Sequence, residues 1–184
     1  MEPRAVLRRI VHLSTPVFLL YYFLPSPLWV GGPQKEVGLL LALVATLAFE
    51  LARLLLNIRV PGMRPYEADQ ISAAAWAGMA LTFSFLLFPI TLTAPVIFGM
   101  AWVDPVISVV RRSKWYPWFP YALHLAIMLV VLTFLVPLDL RWLIAAAVTS
   151  AVAIAAEGIK TSYVDDDILM IVVPLLVFYL LTSV

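Results

Sequence analysis

LIAAAVTSAVAIAAEGIKTSYVDDDILMIVVPLLVFYLLTSV, Leu143–Val184, sets two long apolar runs around a short acidic stretch. Within the eleven residues Glu157–Asp167 stand four carboxylates and one lysine, and three of the acids are consecutive, Asp165, Asp166 and Asp167. Either apolar run is long enough for a spanning helix, so this stretch reads as helix, polar loop, helix at a membrane boundary. Like charges crowded at such a low-dielectric boundary repel one another unless a cation neutralises them. A hard divalent ion such as Mg²⁺ suits the role, because it takes oxygen ligands, typically one or two carboxylates plus the phosphates of a substrate. The plainer reading is a solvated acidic loop that keeps one helix end in water.

The same pattern extends through the chain. Of 184 residues, 64% are hydrophobic and 12% charged, and the mean hydropathy is +1.01. A soluble domain of this size does not hide so much apolar surface; the composition is that of a polytopic membrane protein. Seven spans emerge, at about 10–30, 37–56, 71–89, 92–110, 119–137, 141–159 and 168–184, in one all-α domain covering 1–184. Proline-bearing breaks separate several of them, PSP at 25–27, RVPGMRP at 59–65 and WYPWFP at 115–120, and Pro89 marks a tight turn between the third and fourth. The basic-then-apolar start has no small-residue cleavage site after it, so the first span is expected to be retained. The sixth run is rich in small side chains, which let backbones approach closely, so this helix is expected at the centre of the bundle. The absence of cysteine excludes disulfides and thiol chemistry. No basic run suggests nucleic acid, and nothing indicates an oligomer.

Counting Lys and Arg orients the bundle. Arg4, Arg8, Arg9, Arg53, Arg59, Arg64, Arg111, Arg112, Lys114 and Lys160 lie toward one side, and Lys35 and Arg141 toward the other. Ten against two places the N-terminus and the basic loops in the cytoplasm, with the acidic loop on the same side. Trp115, Tyr116, Trp118 and Tyr121 then form an interfacial belt there, and Trp29 and Trp142 mark the outer interface.

Charges inside spans cost roughly 2.5–3.5 kcal/mol at a helix centre on insertion scales, so they need a reason. Glu50 and Arg53 share a helical face in the second span, either as an ion pair locking helices or as part of a site. Asp104 is isolated in an apolar run, and Pro105 after it frees a backbone carbonyl nearby. His12 sits one turn inside the first span. His124 in the fifth reads as a packing residue. Arg64 and Glu67 belong to the connection before the third span. Apart from His124, these groups gather toward the cytoplasmic end, as a wet pocket open to lipid requires.

In this order, RRIVH, FELARLLLN, RPYEADQIS, WVDP and EGIKTSYVDDD resemble the polyprenol kinase family, which includes dolichol kinase, phytol kinase and CTP-dependent diacylglycerol kinase. The chain is most like its short archaeal members. Arg8, Arg9 and His12 match the family's basic pair before a His, Glu50 and Arg53 its Glu–x–x–Arg, Asp104 its mid-span Asp, and Glu157 with Asp165 and Asp166 its late acidic motif. The chain departs from the family at Asp167, where Asn is commoner, and in lacking the glycine-rich stretch and Lys–x–x–Glu–Gly segment tied to the nucleotide.

The resemblance implies transfer of the γ-phosphoryl group of a nucleoside triphosphate, CTP in the family, to the hydroxyl of an isoprenoid lipid alcohol at the cytoplasmic face of the cell membrane. It implies Mg²⁺ on Asp165 and Asp166, with Glu157 near them and Asp104 a further ligand or the proton acceptor. His12, Glu50 and Arg53 complete the expected catalytic set, and Arg64, Arg111, Arg112, Lys114 and Lys160 the triphosphate contacts. Asp104 is expected to meet Asp165 and Asp166. Two other classes share some of these features, a cytidylyltransferase forming a CDP-lipid and a non-enzymatic membrane protein or small transporter. Because the chain is free of cysteine, the orientation can be checked by thiol labelling of intact cells. A membrane-impermeant maleimide is expected to spare Ser113→Cys and to label Gln34→Cys; the reverse pattern contradicts the assigned sidedness.

Overall fold

The computed structural model describes residues 3–60, 63–159 and 165–183, and the side chains among these except those of 3–8, 65, 66, 166 and 167. Among the described residues it is all-helical: α1 (Pro3–Ser14), a 3₁₀ segment (Thr15–Phe23), α2 (Lys35–Leu55), a short 3₁₀ turn (Pro65–Ala68), α3 (Ala73–Leu87), α4 (Ile90–Val110), α5 (Trp118–Thr133), α6 (Leu140–Glu157) and α7 (Asp166–Ser183). Helices α2, α4 and α6 are long and apolar enough to cross a membrane; the apolar parts of α3, α5 and α7 are shorter. At 1.5 Å per residue, α5 with its 16 residues is about 24 Å long, somewhat less than a hydrocarbon core.

Local chemistry accounts for the helix ends. Ser72 Oγ accepts from Ala75 N–H at 3.3 Å to cap α3, and Asp139 Oδ1 accepts from Trp142 N–H at 3.0 Å to cap α6. Pro89 immediately precedes α4, as the expected turn requires. The first run differs from expectation. Instead of one helix to about residue 30, the α-helix ends at Ser14 and a tighter 3₁₀ coil continues to Phe23. Pro16 lacks the N–H an α-helix needs there, and its ring clashes with the carbonyl four residues back, on His12. Ser14 Oγ donates to the Ile10 and Val11 carbonyls at 2.9 Å, and Thr15 Oγ1 to that of Val11 at 3.3 Å, satisfying acceptors at the break.

Helix α4, not α6, is the enclosed one: 61% of its apolar window is buried against 44% for α6. It is surrounded by α1, the long 3₁₀ segment, α5 and α7, whereas α6 packs chiefly on α7. The small residues of α6, among them Ala145, Ala146, Ala153 and Ala156, are buried, so they serve that close approach without making the helix central. Trp115 and Trp118 are exposed, while Tyr116 and Tyr121 pack against the core.

Helix α2 is inside-out relative to a soluble helix. Its buried residues are Glu50 and Arg53, while Leu40, Leu41, Val44, Phe49, Leu51 and Leu55 are exposed. Such a surface is stable against hydrocarbon, not against water. Breaking a buried pair strands a charge at a cost of roughly 3–5 kcal/mol. Arg53→Leu is therefore expected to lower the unfolding temperature in detergent sharply, and Glu50→Gln/Arg53→Leu to recover a large part of the loss.

Candidate functional site

Glu50 and Arg53 form a bidentate pair, Arg53 Nε to Glu50 Oε2 at 3.0 Å and Nη2 to Oε1 at 2.7 Å. Arg53 Nη2 also donates to the Gln70 carbonyl at 2.6 Å and Nη1 to that of Ala68 at 3.4 Å. Glu50 Oε1 accepts from the Ser72 backbone at 2.6 Å. Arg53 is 1% and Glu50 5% exposed, and three segments of the α2–α3 connection hang from them. These two are expected among the catalytic residues; in the structure they bind each other and the backbone of Ala68, Gln70 and Ser72. A buried pair that also holds the backbone of the adjoining connection is a rivet.

The rivet holds the connection that carries Arg64. Arg64 Nη1 lies 3.6 Å from Asp165 Oδ2, at the start of α7. At the far end of α4, Arg111 Nη2 pairs directly with Glu157 Oε1 at the end of α6. Glu157 is 2% exposed, and its other oxygen, Oε2, is buried without a hydrogen-bond partner. Two turns deeper on α4, Asp104 Oδ2 lies 3.4 Å from His12 Nε2 on α1, and Trp102 Nε1 donates to the Leu13 carbonyl at 3.4 Å beside it. Two arginine–carboxylate pairs and one histidine–carboxylate contact therefore join α4 to α6, the α2–α3 connection to α7, and α1 to α4. Each pair links segments remote in sequence, and all belong to the end of the bundle where α4 and α6 terminate and α7 begins.

The expected convergence of Asp104 with Asp165 and Asp166 takes a different form. Among the described residues no three His, Asp or Glu side chains form a metal-holding group, so Asp104, Glu157 and Asp165 are not gathered into one shell. Each faces a different basic side chain instead, Asp104 facing His12, Glu157 Arg111 and Asp165 Arg64. The side chains of Asp166 and Arg8, and Lys160 altogether, lie outside the described residues. Of the expected phosphate contacts, Arg64 and Arg111 are each engaged with a carboxylate, and Arg112 and Lys114 are exposed in the turn after α4.

Sequence reasoning passed over a fourth polar cluster, His124 on α5 with Ser150 on α6, where Nδ1 and Oγ are 3.0 Å apart and buried. Ser150 and Thr149 read simply as small residues of α6, and nothing local signalled a partner 26 residues away.

Comparison with protein-family models, with curated proteins and with solved structures finds no match.

Removing one member of a pair leaves the other as a buried charge. Arg111→Ala is expected to destabilise the protein in detergent, and Glu157→Gln in that background to restore stability. The coupling in a double-mutant cycle read by thermal unfolding should be about 0.5–3 kcal/mol. Strict additivity contradicts the pairing.

Proposed function

We propose that this chain is a seven-span membrane protein with a cytoplasmic N-terminus, and that it phosphorylates a lipid alcohol, moving the γ-phosphoryl group of a nucleoside triphosphate, CTP by family resemblance, onto an isoprenoid hydroxyl. The observation that carries the reading is the set of two arginine–carboxylate pairs and one histidine–carboxylate contact drawn from five segments to one end of an otherwise apolar bundle. That end bears the basic connections, so the lysine and arginine bias assigns it to the cytoplasm, where nucleotides are. An inert bundle has no need to place Asp104 and Glu157 there at the cost of desolvation. Phosphoryl transfer asks for this inventory, namely cations for phosphate oxygens, carboxylates for a metal, and a proton acceptor.

The donor set fits a magnesium ion that arrives with the nucleotide. Such an ion keeps most of its shell as water and phosphate and needs one or two protein carboxylates. Glu157, with a buried oxygen lacking a partner, and Asp165 at the mouth of α7 are the described residues suited to hold it. When bound, Mg²⁺ neutralises charge on the β- and γ-phosphates. Arg64 and Arg111 then exchange a carboxylate for phosphate oxygens, for which a planar guanidinium is shaped. Arg112 and Lys114, in the exposed turn, draw the polyanion toward the site.

Asp104 is assigned to the hydroxyl. It is 24% exposed and His12 is 12% exposed, so the pair is accessible yet partly desolvated. The lipid alcohol loses its proton to Asp104 Oδ as its oxygen bonds to the γ-phosphorus. The bond from that phosphorus to the bridging oxygen breaks, and the nucleoside diphosphate leaves. His12 orients the Asp104 carboxylate and balances its charge before the proton arrives. The tail stays in hydrocarbon throughout.

Purified protein in lipid nanodiscs, given γ-labelled CTP or ATP, Mg²⁺ and a panel of isoprenoid alcohols, is expected to move label into lipid. Asp104→Asn should cut turnover by about 10²–10⁴-fold with little change in nucleotide KM, as loss of a proton acceptor does. Asp165→Asn should weaken the dependence on Mg²⁺. Full turnover in both variants, or no label in lipid with the unmodified protein, overturns the assignment.

A further inference from the structure

His124 is completely buried in the middle of α5 and touches both helices that carry the Arg111–Glu157 pair. Toward α6, its Nδ1 lies 3.0 Å from Ser150 Oγ, and Ser150 Oγ donates to Met128 Sδ on α5 at 3.4 Å. With the hydroxyl hydrogen spent on sulfur, Ser150 can only accept from the ring, so the proton of a neutral imidazole sits on Nδ1. Nε2 is then a bare lone pair, and it is buried without a hydrogen-bond partner. Toward α4, that nitrogen presses on Gly99. A Cβ at Gly99 would lie 2.4 Å from Nε2, 2.8 Å from Cε1 and 2.9 Å from Cδ2. Position 99 is a notch, and the imidazole edge fills it.

A leucine would fill such a space without leaving a polar atom unsatisfied, so the ring calls for a reason beyond volume. Helices α4 and α6 touch each other little, while α5 packs extensively on both. Helix α7 also packs on both, so α5 and α7 share in setting their relative height, and His124 is the side chain of α5 keyed into both, by a directional hydrogen bond on one side and a steric lock on the other. Arg111 follows Gly99 by twelve residues on α4 or at its end, and Glu157 follows Ser150 by seven on α6. At about 1.5 Å per residue these are rigid arms of roughly 18 and 10 Å. A slip at the ring is carried along them to the ion pair.

We propose that His124 is a positioning residue that sets the axial register of α4 against α6 and thereby brings Arg111 and Glu157 into contact. Its importance to phosphoryl transfer rests on the kinase reading, but the register itself does not. The test exploits the cysteine-free chain. Arg111→Cys/Glu157→Cys reports the α4–α6 ends through the rate of cross-linking by a short bis-maleimide. His12→Cys/Asp104→Cys reports α1–α4, a contact that does not run through α5. Both pairs are measured with His124 intact and with His124→Asn, His124→Leu and Gly99→Ala.

Asparagine keeps a donor near the place of Nδ1 but vacates the notch, so it should cross-link more slowly than the parent and faster than His124→Leu. His124→Leu and Gly99→Ala should slow the α4–α6 reaction by at least about tenfold, because the separation of reacting groups governs such rates, and should leave the α1–α4 reaction unchanged. Equal α4–α6 rates in all backgrounds overturn the proposal. So does equal slowing of both pairs, which assigns His124 to general folding. A selective α4–α6 effect in protein that phosphorylates no lipid supports the register and counts against the kinase reading alone.

Discussion

A charge in a low-dielectric bundle must find a partner, and for Arg53, Arg64, Arg111 and Asp104 among the described residues that partner lies on another segment or is used to hold one. Arg53 and Glu50 sit on one helix, yet together they take the backbone of Ala68, Gln70 and Ser72. That connection in turn delivers Arg64 to Asp165. Arg111 and Glu157 tie the ends of α4 and α6, and His12 and Asp104 tie α1 to α4. Apolar surface such as that of α2, α4 and α6, long enough to cross a bilayer, is nearly indifferent to which helix lies beside which, since lipid is as apolar as leucine. Directional charge pairs and close small-residue contacts are left to choose the arrangement.

The same pairs give the site its character. Glu157 and Asp165 are each matched by a guanidinium group. On the proposed reading, a triphosphate with Mg²⁺ would supply both a cation for the carboxylates and an anion for the arginines. Glu157 holds Arg111 through Oε1, while its Oε2 is buried without a hydrogen-bond partner.

Helix existence was legible because it is a local property of apolar length. The second expected span, about 37–56, is α2 at Lys35–Leu55, and the third, about 71–89, is α3 at Ala73–Leu87. Misreadings came where a tertiary fact outweighed a local one. The hydropathy of the first run ignores what Pro16 does to the hydrogen-bond ladder. The small residues of α6 announced close packing but not the partner, which is α7, and left the more enclosed α4 unnoticed. Glu50 and Arg53 were visible as a pair on one face, but their catalytic or architectural role depends on Ser72, Ala68 and Gln70, which no spacing rule reaches. His124 was set aside for the same reason, since its significance lies in Gly99 and Ser150 on two other helices.

The by-product of the reaction bears on the central claim most directly, because it records which phosphorus was attacked. A ³¹P spectrum of purified protein incubated with CTP, Mg²⁺ and a polyprenol should show a lipid phosphomonoester growing in step with nucleoside diphosphate. Pyrophosphate with a CDP-lipid would contradict attack on the γ-phosphorus, and an unchanged triphosphate spectrum across nucleotides and alcohols would contradict catalysis by this cluster of charges.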